Sequence, residues 1–168
     1  MGKDIKILIG AIVLTLVIIA GLAFLASKNS QSQTKLGLVE GVTANPGFYD
    51  LGAVPINGGV VEKEYEVVNT TGSKIVLKKI VTSCMCTQAA FKMGENQTKF
   101  FGMEGHGDAN APVNVEIPSG ETGKVITRFD PAAHGPQGTG PFDRVIYLTF
   151  SDPAGIKELK FSGTVVPK

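Results

Sequence analysis

The sequence predicts an all-β protein, an antiparallel β-sandwich preceded by one N-terminal transmembrane helix, and three observations carry that expectation. Residues 7–26 read ILIGAIVLTLVIIAGLAFLA, an apolar run in which Thr15 is the one strongly polar side chain. Beyond residue 35, apolar and polar residues alternate in short runs, the period of a half-buried strand. Between those runs stand clusters of Gly, Pro, Asn and Asp, the residues that reverse a chain.

Residues 1–6 form a short tail holding Lys3 and Lys6. At about 1.5 Å per residue the apolar run 7–26 reaches roughly 30 Å as a helix, the thickness of a bilayer's hydrocarbon core. The positive-inside tendency puts the tail in the cytoplasm and everything after residue 26 outside, with Lys28 and Lys35 pulling weakly the other way. The run exceeds the roughly 7–15 apolar residues of a cleaved leader, and its best small-residue site, Gly21-Leu22-Ala23, lies inside the run, so it reads as an anchor. No cysteine follows the helix to accept lipid. Residues 27–35, SKNSQSQTK, are polar and aperiodic, a flexible linker.

Residues 36–168 suffice for one extracytoplasmic domain with its own core. Strands are predicted near 38–43 and over 60–68, 75–82, 113–117, 124–129, 144–150 and 156–166. Turns separate them at Asn69-Thr70-Thr71-Gly72, Pro118-Ser119-Gly120 and Asp152-Pro153-Ala154-Gly155. About seven short strands without a soluble helix point to the immunoglobulin-like sandwich. A formal charge of +1 with scattered basic residues excludes the electrostatic footprint of a nucleic-acid binder. There is no run of like charge and no internal repeat.

Several motifs then occur in a characteristic order: Phe48-Tyr49-Asp50-Leu51-Gly52-Ala53-Val54, a Gly-Gly turn, a strand ending Val68-Asn69-Thr70-Thr71-Gly72, Thr82-Ser83-Cys84-Met85-Cys86-Thr87, Pro118-Ser119-Gly120-Glu121, and a closing Phe161-Ser162-Gly163-Thr164-Val165. In this order, across most of residues 48–166, the chain resembles the bacterial domain-of-unknown-function 1573 family. The resemblance implies an immunoglobulin-like fold related to hydin-type and other ASH modules, in an extracytoplasmic setting. It implies little about activity. The chain departs from the family's pattern where Met85 replaces the usual glycine between the cysteines, and where residues 91–114 exceed the usual short connection.

Chemistry-bearing residues gather at those departures. The chain has two cysteines, Cys84 and Cys86, and two histidines, His106 and His134, each before a glycine. If the strand from residue 75 runs on through Ser83, residues two apart share a face and both sulfurs project together. Extended backbone would hold their Cα atoms about 6.5–7 Å apart, at the edge of disulfide geometry, so the pair suits one ion better than a disulfide. Thiolates select Cu⁺ or Zn²⁺, and imidazole is compatible with both. The nearby thioethers of Met85, Met93 and Met103 make copper the first choice and zinc the second. The predicted metal ligands are Cys84, Cys86, His106 and His134, with Met103 as a possible fifth. Glycines around Met103 and His106 permit sharp bends, and Pro131, Pro136 and Pro141 restrict the loop of His134.

Blander readings stand beside this one. The cysteines suit the end of a strand as small apolar side chains, and the sandwich suits an envelope interaction module that docks a protein by an edge strand without metal. A thiol redox protein is a further alternative. Arg128 and Arg144 read as strand-surface charges. Asp130 and Asp143 read as turn formers, or as groups orienting a histidine. Asn69-Thr70-Thr71 and Asn96-Gln97-Thr98 match the glycosylation pattern, but the first sits at a predicted turn. No Ser-His-Asp or Cys-His arrangement is legible, so the expectation is a protein that binds and is not an enzyme.

Overall fold

A computed structural model describes residues 2, 12–19, 21, 36–105 and 111–167. The chain divides into two compact units, Met1–Lys35 and Leu36–Lys168. In the first, residues 12–19 are helical. The remainder of the predicted 7–26 span, apart from residue 21, lies outside the described residues, as does the predicted linker. Among those described, no helix is long and apolar enough to cross a membrane.

The second unit is a sandwich of two five-stranded sheets. Its strands are β1 (Val42–Asn45), β2 (Phe48–Pro55), β3 (Val61–Asn69), β4 (Ile75–Thr82), β5 (Thr87–Met93), β6 (Asn96–Gln97), β7 (Val115–Ile117), β8 (Thr122–Phe129), β9 (Gly140–Ser151) and β10 (Gly155–Val166). One sheet runs β1-β3-β8-β5-β6 and the other β2-β10-β9-β4-β7. The sets β1-β3-β8-β5 and β4-β9-β10 occupy the places of the ABED and CFG sheets of an immunoglobulin constant-type sandwich. Among these strands β2 alone pairs in parallel, against β10, and an isolated parallel bridge joins Leu38 to Ile156.

Inward-facing side chains from both sheets form the core: Tyr65 and Val67 of β3, Val125 and Phe129 of β8, Ile146, Leu148 and Phe150 of β9, and Leu159 and Phe161 of β10 are all buried. Burying one such side chain is worth about 1.5–3 kcal/mol relative to leaving it exposed. The Tyr65 hydroxyl crosses the sandwich and donates to the Lys160 carbonyl at 2.9 Å. At the end of β3, fully buried Asn69 donates to the Ile117 carbonyl at 2.9 Å and accepts from the Thr71 N–H at 3.0 Å. That residue belongs to the predicted turn, where it acts as a buried polar plug.

A register shift between Leu77 and Lys79 changes the phase of β4. Before it Ile75 and Leu77 face the core; after it Ile80 and Thr82 do. Three strands, β2, β5 and β6, were not expected. β5 reads TQAAFKM and buries Ala89, Ala90 and Phe91 in succession, which gives neither alternation nor β-branched enrichment. β2 is interrupted by Gly52 at φ +61° and ends at Pro55, as an edge strand tolerates.

Because β4 and β9 belong to one sheet and β5 and β8 to the other, the β4–β5 and β8–β9 connections both cross between layers. Residues 83–86 cross from β4 to β5, and residues 130–139 cross back from β8 to β9. Pairing of Thr87 with Phe129, and of Thr82 with Ile146, puts both crossings at the same end. Beneath them Phe129 and Phe142 stack with centroids 4.4 Å apart, and Phe161 packs edge-on to Phe129 at 5.5 Å.

Candidate metal centre

The cysteine segment is a turn and not the extended backbone expected. Thr87 N–H donates to the Cys84 carbonyl at 3.1 Å, closing a β-turn over residues 84–87. Thr82, turned inward by the shift in β4, braces it from below: its hydroxyl lies 2.9 Å from the Thr87 carbonyl and 3.1 Å from that of Cys84. Ser83 is tied to β9 by its N–H to the Val145 carbonyl and by its hydroxyl, which accepts from Val145 N–H, each at 2.9 Å. Met85 rides the tip, 49% exposed.

The turn brings the two sulfurs to 2.6 Å, with Cys86 donating to Cys84. Both thiols are free; Cys84 is half-buried and Cys86 buried. Cys84 Sγ also lies 3.1 Å from His134 Nε2, and accepts from the Cys86 backbone N–H at 3.4 Å. The three donor atoms of Cys84, Cys86 and His134 all fall within 4.8 Å of one another.

The crossing back to β9 is built to hold His134 there. Asp130 N–H donates to the Cys86 carbonyl at 2.9 Å, and its carboxylate accepts from Ala132 N–H at 2.8 Å. Asp130 is thus a turn former of the Asx kind. Gly135, at φ +70°, follows His134, and a Cβ on Gly138 would stand 2.9 Å from the His134 Cβ. The loop closes tightly around the imidazole's stem because that position has no side chain.

Arg144 is the residue that the sequence reading misplaced. It is no surface charge: it is partly buried on the inward phase of β9 with Phe142, Ile146 and Leu148. Its Nε donates to Cys86 Sγ at 3.1 Å. Period-two alternation alone puts residue 144 on that face, so the signal was present in an arginine at an apolar phase. Arg128 is a surface charge as expected, exposed and paired with Glu62.

These contacts divide the two thiols. Burial pushes the Cys84 thiol up, but hydrogen bonds from the Cys86 side chain and backbone and from His134, with the charge of Arg144, outweigh it and leave the group lowered. Burial pushes Cys86 up, and the neighbouring Cys84 adds to the rise; Arg144 and Thr87 oppose it without reversing it.

Of the predicted ligands, Cys84, Cys86 and His134 converge. His106 lies outside the described residues. Met103 is partly buried and follows Gly102, whose carbonyl accepts from Thr82 N–H at 3.3 Å, so its backbone runs beside the brace of the turn. Beside the cluster opens a cleft of about 190 Å³ lined by Val60, Met85, Cys86, Gln88, Arg128 and Asp130, among others. Two thiolates on one tetrahedral zinc at about 2.3 Å stand roughly 3.8 Å apart. The pair would therefore open by about an ångström around an ion, a movement available to a half-buried side chain on a turn.

No family model matches the chain, and no curated protein matches it. Solved structures do. A protein of unknown function from Porphyromonas gingivalis W83 superposes with a TM-score of 0.52 at 16% identity, over 81% of this chain and 51% of that one. This chain thus spans about half the length of that structure, and the likeness is one of fold. The ASH/PapD-like domain 7 of human CEP192 gives a TM-score of 0.45 at 12% identity, covering 83% of this chain and 93% of the domain. The CooA pilin subunit of enterotoxigenic Escherichia coli gives 0.40 at 14% identity, covering 76% and 98%.

Proposed function

We propose that the chain is a membrane-anchored extracytoplasmic binding protein of the domain-of-unknown-function 1573 family, whose sandwich holds one soft metal ion. The observation that carries this reading is the convergence of Cys84, Cys86 and His134, from two separate crossings of the sandwich, within 4.8 Å. Two thiolates and an imidazole leave zinc one ligand short of its tetrahedron, whereas they satisfy Cu⁺. Charge favours the same ion. Two thiolates and Cu⁺ carry a net negative charge, which the Arg144 guanidinium beside Cys86 offsets. Met103 and His106 are the further donors, and zinc is the second choice. The work of such a site is storage, delivery or sensing of the ion at the cell surface, by binding and not by turnover.

Anchorage rests on the apolar run 7–26 with Lys3 and Lys6 before it. Exposed side chains at Ile12, Leu16 and Ile19 on its described helix suit a lipid environment. Carbonate washing of membranes from expressing cells should leave the chain in the pellet; release into the wash would overturn the anchor. For the metal, the full chain in detergent, reduced and stripped, is titrated with Cu⁺ against a competing chelator and separately with Zn²⁺. About one equivalent of Cu⁺ is expected. Equal retention by a Cys84→Ser, Cys86→Ser double variant would sink the assignment and leave a docking module without metal.

A further inference from the structure

We infer that the Cys84–Cys86 turn also performs thiol–disulfide exchange, with Cys84 as the attacking sulfur and Cys86 as the resolving one. A β-turn brings residues two apart to roughly 5.5 Å between Cα atoms, inside the range a disulfide requires. The geometric objection raised by an extended Cys-x-Cys therefore does not apply here. The two sulfurs already touch at 2.6 Å, and nothing stands between them.

The surroundings give the two sulfurs different parts. Cys84 is the more exposed and has His134 Nε2 at 3.1 Å, so an incoming disulfide meets it first. Cys86 is 3% exposed and cannot be reached directly by a large partner, yet it lies against the atom that a mixed disulfide would form on. Arg144 Nε stands 3.1 Å from Cys86 Sγ, a fixed donor that orients the resolving sulfur. The adjoining cleft is lined by Met85, Cys86 and Arg128, beside the pair.

The exchange balances with a partner disulfide as the oxidant. Cys84 thiolate attacks one sulfur of that disulfide; the partner's S–S bond breaks, its other sulfur leaves as a thiolate, and Cys84 is joined to the partner. Cys86, giving its proton to the departed thiolate, then attacks Cys84 Sγ, closing the intramolecular disulfide and expelling the partner's second sulfur, which takes up a proton from solvent. Two electrons pass from the pair to the partner, which ends as a dithiol. The chain ends with Cys84 and Cys86 oxidised, and the reverse sequence restores them.

This inference goes beyond metal capture and is tested apart from it. The full chain in detergent, reduced and kept metal-free with a chelator, is mixed with oxidised glutathione and followed by intact-mass spectrometry and release of glutathione. The wild type should lose two hydrogens and release two glutathiones per chain. Cys86→Ser should instead accumulate one glutathione on Cys84, and Cys84→Ser should react about tenfold more slowly than either. Failure of the wild type to close its disulfide, or faster capture of glutathione by Cys84→Ser than by Cys86→Ser, overturns the proposal. A chain that binds Cu⁺ but never closes the disulfide loses the exchange and keeps the metal site. A chain that closes it but binds no ion does the reverse.

Discussion

Arg144 acts on the cysteine pair from inside the sandwich, and the chemistry of both thiols depends on it. Its guanidinium favours the anionic form of each sulfur, through charge at Cys84 and through a hydrogen bond at Cys86. In the reduced, metal-free chain, alkylation of Cys84 should therefore set in at lower pH than for an ordinary thiol, and that of Cys86 at higher pH. Replacing Arg144 by Gln removes an influence that lowers both groups, so both alkylation profiles should move to higher pH. Site-resolved mass spectrometry across a pH series reads this directly, and unmoved profiles would show that the arginine is a spectator. At this scale the two cysteines and His134 were legible as ligands by residue type. Arg144 was legible only by its phase among Phe142, Ile146 and Leu148. Thr82 was hidden because a register shift inside β4, with no mark in the sequence, turns it inward.

At the scale of elements, the site depends on two connections more than on any strand. The 84–87 turn sets the sulfurs and the 130–139 loop sets the imidazole, with the Cys86 carbonyl to Asp130 N–H bond joining them. Gly138 is the tight point of that loop. A Gly138→Ala substitution puts a methyl group 2.9 Å from the His134 Cβ, so the loop must shift and carry the imidazole away from Cys84. Cu⁺ affinity should fall about tenfold, near the loss from His134→Ala, while the pH profile of Cys86 alkylation stays in place. Equal affinity for wild type and Gly138→Ala, by chelator competition, would refute the positioning role. The strands with β-branched alternation, β3, β4, β9 and β10, were readable because one face is buried and the other wet. β5 was not, because Ala89, Ala90 and Phe91 are buried in succession without a period, and its first residue is also the last of the cysteine turn.

For the molecule as a whole, patterning was enough to indicate a two-layer antiparallel sandwich, since runs of short strands with turn chemistry have few other solutions. The pairing of β4 with β9 and of β5 with β8 was not, because it depends on contacts far apart in sequence. That pairing has a mechanical consequence. The donors stand on two of the connections that pass from one sheet to the other, so an ion gripped by Cys84, Cys86 and His134 would rivet the layers together at that rim. At a free ion concentration about a hundredfold over the dissociation constant, loading should add roughly 2.7 kcal/mol to the resistance of the sandwich to unfolding. Differential scanning of the full chain with and without Cu⁺ should show the melting temperature rise in the wild type and stay fixed in the double serine variant. A partner that withdrew the ion would leave that rim free to part, so handing over the cargo and loosening the fold would be one event.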